Sequence, residues 1–110
     1  MTAAMPAMQE EIFGPVICLF SAKNEQHAIE LANMSRYGLA AAVFTQNVAK
    51  GERIAAHDIQ AGSCYVNCYV SSDPRLPFGG LKDSGFGREL SIEGIHEFVN
   101  IKTVCVESGK

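Results

Sequence analysis

The chain has 110 residues, 47% of them hydrophobic and 19% charged, with a formal net charge of −3. This balance fits a globular chain with one small core and excludes a disordered segment. The acid excess leaves no basic patch for a phosphate polymer, and no apolar run approaches the roughly 18 residues of a membrane helix, so neither nucleic acid nor membrane is expected as a partner.

The opening "MTAAMPAMQEE" lacks the cationic and apolar regions of a secretory signal, so the expected location is cytoplasmic. Residues 15–20, "PVICLF", form a continuous apolar run that predicts a strand buried on both faces. Asn24 can cap a helix that carries Glu25 in its first turn. Ala28, Leu31, Ala32 and Ser35 give that helix one small, apolar face, and Gly38 is its expected stop. Residues 40–45, "AAAVFT", predict the next strand. Asn47 can cap a second helix running to about residue 59, where Ala61-Gly62 ends it. Residues 63–67, "SCYVN", predict a third strand. A long loop over 68–90 follows. Ser91 is the expected cap of a third helix, with Leu90 and Ile95 placed for a hydrophobic staple. Ile92, Ile95 and Val99 form its apolar stripe, joined by Phe98. The tail "IKTVCVE" predicts a last strand. Strands alternating with helices of this length argue for the α/β class, with right-handed crossovers and a parallel sheet.

Two stretches carry candidate chemistry. "PFGGLKDSGFGREL", residues 77–90, packs four glycines with two cations and two acids. Gly85 and Gly87 begin a dinucleotide fingerprint, but Leu90 takes the third glycine's place, and Lys82 is not followed by the hydroxyl residue of a phosphate loop. The glycines still imply tight turns and close approach, either by a ligand or by a neighbouring segment. Lys82, Arg88 and Glu89 sit in or beside this loop. Arg88 has a fork suited to carboxylates and would either pin the loop or contact a ligand. "EEIFGPV", residues 10–16, is an acidic elbow. A carboxylate there can accept from two vicinal hydroxyls, as on a ribose, and Phe13 could pack on a flat ring. The plainer alternative is a solvated acidic pair ahead of a buried strand. His27, His57 and His96 lie on helices with no nucleophile at a pairing distance, so surface or packing roles are expected. Cys18, Cys64, Cys68 and Cys105 form no C-x-x-C pair. If residues 64–68 are extended, Cys64 and Cys68 stand roughly 13 Å apart, too far for a disulfide or a shared metal. Buried, reduced cysteines and no metal site are expected.

The motifs "EEIFGPV", "YGLAAAVFT", "AGSCYVN", "PFGG-K-SG-GRE" and "FVNIKTV" together resemble the C-terminal part of the aldehyde dehydrogenase superfamily. The resemblance runs from about Met5 to Val106. "SSDPRLPFGG" with "GRELS" is closest to succinate-semialdehyde dehydrogenase-like members. It implies a partial catalytic domain over residues 1–100 and an oligomerisation strand over 101–110. The family oxidises an aldehyde with NAD or NADP. A cysteine thiolate attacks the carbonyl, hydride leaves for the nicotinamide, and a glutamate-activated water releases the acid.

The resemblance implies roles for individual residues. Glu11 would hold the nicotinamide ribose hydroxyls, with Phe13 packed beside them. Phe78 would line the aldehyde pocket, and Ser71 and Ser72 would lie near a substrate carboxylate. Glu89 would help relay protons as a catalytic residue, and Arg88 would secure the loop. The family's nucleophile, general base and oxyanion asparagine lie upstream of the acidic elbow, so no turnover is expected from this chain alone. The expected partners are a small aldehyde, a missing N-terminal segment, or copies in a homo-oligomer. A non-catalytic interaction module, pairing through its C-terminal strand, is the alternative.

Overall fold

The computed structural model describes residues 5–109. The first four residues of the opening stretch, and Lys110 at the end of the expected tail strand, lie outside them.

Helix α1, Glu25–Asn33, starts where the sequence places it, because the Asn24 side chain accepts from the His27 backbone N–H at 2.9 Å. It ends at Asn33, well short of Gly38. Gly38 instead belongs to a two-residue strand β1, Tyr37–Gly38, where a Cβ would meet the Gln60 carbonyl oxygen at 2.7 Å. Strand β2, Ala40–Val43, is followed by helix α2, Val48–Arg53, capped by the Asn47 side chain on the Lys50 N–H at 3.0 Å. The helix runs on as one π-helical turn, Ile54–Asp58, and strand β3, Ser63–Val66, comes next. Strands β2 and β3 pair in parallel, from Ala40 opposite Ser63 to Val43 opposite Val66. This is one βαβ crossover, as the alternation of elements requires. Asn67 then takes φ 57°, and its side-chain amide accepts from Thr45 N–H at 2.7 Å and donates to Thr45 C=O at 2.8 Å. The side chain thus extends the ladder one step past its last backbone pair.

Residues 68–90 are more ordered than the expected loop. They contain strand β4, Leu81–Lys82, antiparallel to β1, and an isolated bridge between Phe78 and Glu89. The expected single parallel sheet is therefore corrected to two small ladders, one parallel and one antiparallel. Helix α3, Ser91–His96, begins one residue early: Leu90 is its N-cap, at φ 64°, and the Ser91 hydroxyl faces the Glu93 N–H at 3.4 Å.

Residues 15–20 and 101–107 have strand-like composition yet belong to no ladder among the described residues. A strand is defined by its pairing, and no ladder among the described residues takes up these segments. The core is correspondingly slight. Ile54 is the one buried hydrophobic side chain among the described residues, while Phe13, Ile17, Phe86, Phe98 and Ile101 are exposed. The molecule extends 71 × 32 × 23 Å with a radius of gyration of 18.9 Å, where a compact domain of about this length has about 13 Å. It exposes 8719 Å², against about 6,000 Å² for a compact chain of this size.

Candidate active-site wall

The glycine loop is built by close backbone approach. A Cβ on Gly62, at the start of β3, would lie 1.6 Å from the Gly79 carbonyl oxygen. Only hydrogen fits there, so the loop packs directly on the βαβ unit. Gly85 and Gly87 take φ of 112° and 83° and turn the chain back. Arg88 then ties the turn from within: its guanidinium donates to Gly80 C=O at 3.0 Å and to Gly87 C=O at 2.6 Å. It pins the loop through carbonyls, and no ion pair to it is formed among the described residues. Its backbone N–H reaches the carboxylate of Glu97, the residue that caps the end of α3, at 3.4 Å.

Folding back brings Phe78 and Glu89 together. Their backbones exchange two hydrogen bonds of 2.8 Å each. Both line an open cavity of about 380 Å³, with Leu39, Phe86, Glu97 and Phe98 among its other walls. A second groove, of about 360 Å³, is lined by Glu11, Ser35, Tyr37 and Gly38. Leu39 and Ser84 line both, so the two concavities are neighbours across one ridge. Among the described residues nothing donates a hydrogen bond or ion pair to the Glu11 carboxylate, whose two oxygens stay available for hydroxyl donors. Phe13 is 92% exposed and lies outside both concavities.

Ser71 and Ser72 are exposed on the loop after β3 and line neither concavity. The Ser71 carbonyl accepts from the Tyr65 hydroxyl at 2.6 Å, which fixes the backbone there. Just beyond, Asp73 grips Arg75 through both carboxylate oxygens, and the guanidinium holds the Asp73 carboxyl below the usual carboxylate range.

The cysteines are less buried than expected. Cys18 and Cys64 are half-buried, Cys68 and Cys105 are exposed, and all four are free. Partial burial pushes the Cys64 thiol up, away from the thiolate a nucleophile needs. None of the four lines the two concavities described above. His57 and His96 are exposed, and His27 Nδ1 accepts from the Lys23 N–H at 3.1 Å. Among the described residues no cluster of three His, Cys, Asp or Glu could hold a metal ion, and no helix is long and apolar enough to cross a membrane. Sequence reasoning missed Ser84 and Leu39, the shared ridge. It also missed Glu97, which a helical spacing from Glu93 would have placed on the loop side of α3.

The aldehyde dehydrogenase family model matches residues 1–104. The chain belongs to the aldehyde dehydrogenase family. It is 50% identical over 103 residues to the succinate semialdehyde dehydrogenase [NAD(P)+] of Escherichia coli K12, covering 94% of this chain and 22% of that protein. It is 47% identical over 108 residues to the 4-trimethylaminobutyraldehyde dehydrogenase of Rattus norvegicus, again covering 22% of the relative. The chain thus spans about a fifth of the length of the curated relatives it matches. Its whole length superposes on 22% of a Mycobacterium tuberculosis aldehyde dehydrogenase complexed with NAD+, with a TM-score of 0.92 and 43% identity. A Staphylococcus aureus betaine aldehyde dehydrogenase in complex with NAD+ matches 89% of the chain at a TM-score of 0.84 and 42% identity, covering 19% of that protein.

Proposed function

We propose that this chain is the C-terminal, cofactor-facing part of an NAD(P)-dependent aldehyde dehydrogenase that oxidises an aldehyde or semialdehyde to the acid. The observation that carries the reading is full-length similarity, at a TM-score of 0.92, to a family member complexed with NAD+. The extended, nearly coreless shape supports it, since a wall of a larger site has its packing partners elsewhere.

In this reading Glu11 accepts from both nicotinamide ribose hydroxyls, and its unengaged carboxylate fits that task. Phe13 gains the ring partner it lacks here. When bound, NAD or NADP supplies the hydride acceptor. Phe78 shapes the aldehyde pocket, and Glu89, held beside it by the backbone bridge, moves a proton. Ser71 and Ser72 donate to a substrate carboxylate. Residues 1–100 form part of the catalytic domain, and 101–110 form the strand that reaches a subunit contact in the cytoplasmic oligomer. The nucleophile, general base and oxyanion asparagine belong to the remainder, so the chain by itself is inert.

The test is a graft. Residues 5–106 replace the matching segment of the E. coli succinate semialdehyde dehydrogenase, and cofactor reduction with succinate semialdehyde is followed. The expected result is turnover within tenfold of the parent, with none from the isolated chain. A folded but inactive graft overturns the proposal.

A further inference from the structure

Three consecutive residues of the glycine loop face the same short segment at the end of α1 and just beyond it. Lys82 Nζ donates to Asn33 C=O at 2.8 Å and to Ser35 C=O at 3.0 Å. Asp83 pairs with the Arg36 guanidinium at 2.5 Å, and its N–H donates to Arg36 C=O at 3.1 Å. The Ser84 hydroxyl accepts from Gly38 N–H at 3.0 Å. The first of these contacts answers a specific need. Asn33 is the last residue of α1, and carbonyls at a helix C-terminus have no partner within the helix. An ammonium ion placed there meets the negative end of the helix dipole as well. Lys82 adopts φ 54°, a conformation disfavoured for a side chain of its kind, so the backbone accepts strain to place this cation.

Lys82 is not among the residues lining the Phe78–Glu89 cavity, but β4, on which it sits, lies between the two residues that bridge. The Phe78–Glu89 bridge closes the same loop that the Lys82-Asp83-Ser84 run fastens to the end of α1. We propose that Lys82 is a positioning residue. By capping α1 across the fold, it fixes the height of the glycine loop, and so the placement of Phe78 and Glu89 at the cavity. Lys82 does not fit a phosphate loop, and among the charges beside the glycine loop the geometry gives it a helix end to hold. The link to aldehyde oxidation rests on the function proposed above, whereas the link to loop placement does not.

The test uses Lys82→Met, which keeps the chain length and removes the charge, and Lys82→Arg, which keeps the charge. Amide hydrogen exchange is measured on the full chain. Lys82→Met is expected to speed exchange at Phe78 and Glu89 at least tenfold, while Asn67 N–H on the β2–β3 ladder changes less than threefold. Lys82→Arg is expected to restore most of the protection. Uniform acceleration at all these amides, no change at any, or no protection of Phe78 and Glu89 in the unsubstituted chain each overturns the proposal. In the graft, Lys82→Met is expected to raise the aldehyde KM at least tenfold, with NAD affinity within twofold. An unchanged aldehyde KM overturns the positioning role. If the unsubstituted graft is inactive while the exchange pattern holds, the functional reading fails and the clamp stands.

Discussion

The βαβ unit and the two arms of this chain are written in similar residues and end differently. Residues 40–43 and 63–66 find each other as a parallel ladder, because α2 returns the chain to the first strand's side and Asn67 locks the far end. Residues 15–20 are about as apolar and the tail 101–107 alternates Ile101, Val104 and Val106 with polar residues, yet Ile17 and Ile101 are 85% and 79% exposed. The difference lies in partners. Apolar pattern states that a surface is to be covered, and only geometry states by what. In the βαβ unit the cover is local; the 15–20 arm rests only Cys18, Leu19 and Phe20 beside α1, and in the function proposed above the remainder of the enzyme covers what both arms leave exposed.

This contrast can be broken most sharply where the glycine loop meets β3. Gly62→Ala drives a methyl into the Gly79 carbonyl, so it is expected to cost about 3 kcal/mol, the upper range for overpacking. Gly14→Ala, with open space around it, serves as the control. Thermal or denaturant unfolding of the graft measures both, and equal effects would mean the loop is not seated on the sheet. Next in size is Asn67→Ala. It removes both side-chain bonds to Thr45 and leaves a β-carbon at φ 57°, at about 1–2 kcal/mol by the same measurement.

The arms should behave in the opposite manner. Ile17→Asn is expected to change the stability of the isolated chain by less than about 0.5 kcal/mol, as at an ordinary surface site. In the graft the same substitution is expected to be destabilising by about 1–3 kcal/mol. Equal effects in both settings would deny that anything covers the arm.

The smallest effect concerns pH. The Asp73 carboxyl is depressed by Arg75, so its contribution is present above the ordinary Asp value of about 3.9 and fades as pH falls through the lower folded value. Arg75 is exposed and Asp73 only half-buried, so the effect is a slight local loosening near residues 71–75 in acid. Asp73→Asn should abolish that pH dependence, read from the chemical shifts of the loop.

Much of the fold was legible because its signals are local. Asn24 and Asn47 announce their helices through side chains that bond three residues away. The β2–α2–β3 order follows from period alone. What was illegible depended on contacts distant in sequence. Gly38 reads as a helix stop but is needed small because Gln60 and Leu81 pass beside it. Residues 68–90 read as a loop because β4 is two residues long and its partner lies more than forty positions earlier. In the candidate site, Phe78 and Glu89 were named from motif resemblance, and their pairing is a product of two positive-φ glycines and Arg88. Ser84 and Leu39 carried no chemical signature, since a ridge between two concavities is a matter of shape.

The central claim is that Glu11 belongs to a cofactor site completed by the rest of an aldehyde dehydrogenase. Glu11→Gln in the graft tests it most directly, through the KM for NAD with aldehyde saturating. Loss of charge-assisted hydrogen bonds worth about 1.5–3 kcal/mol should raise that KM about tenfold to a hundredfold and leave the aldehyde KM within twofold. An unchanged KM for NAD, in an active graft, would contradict the account.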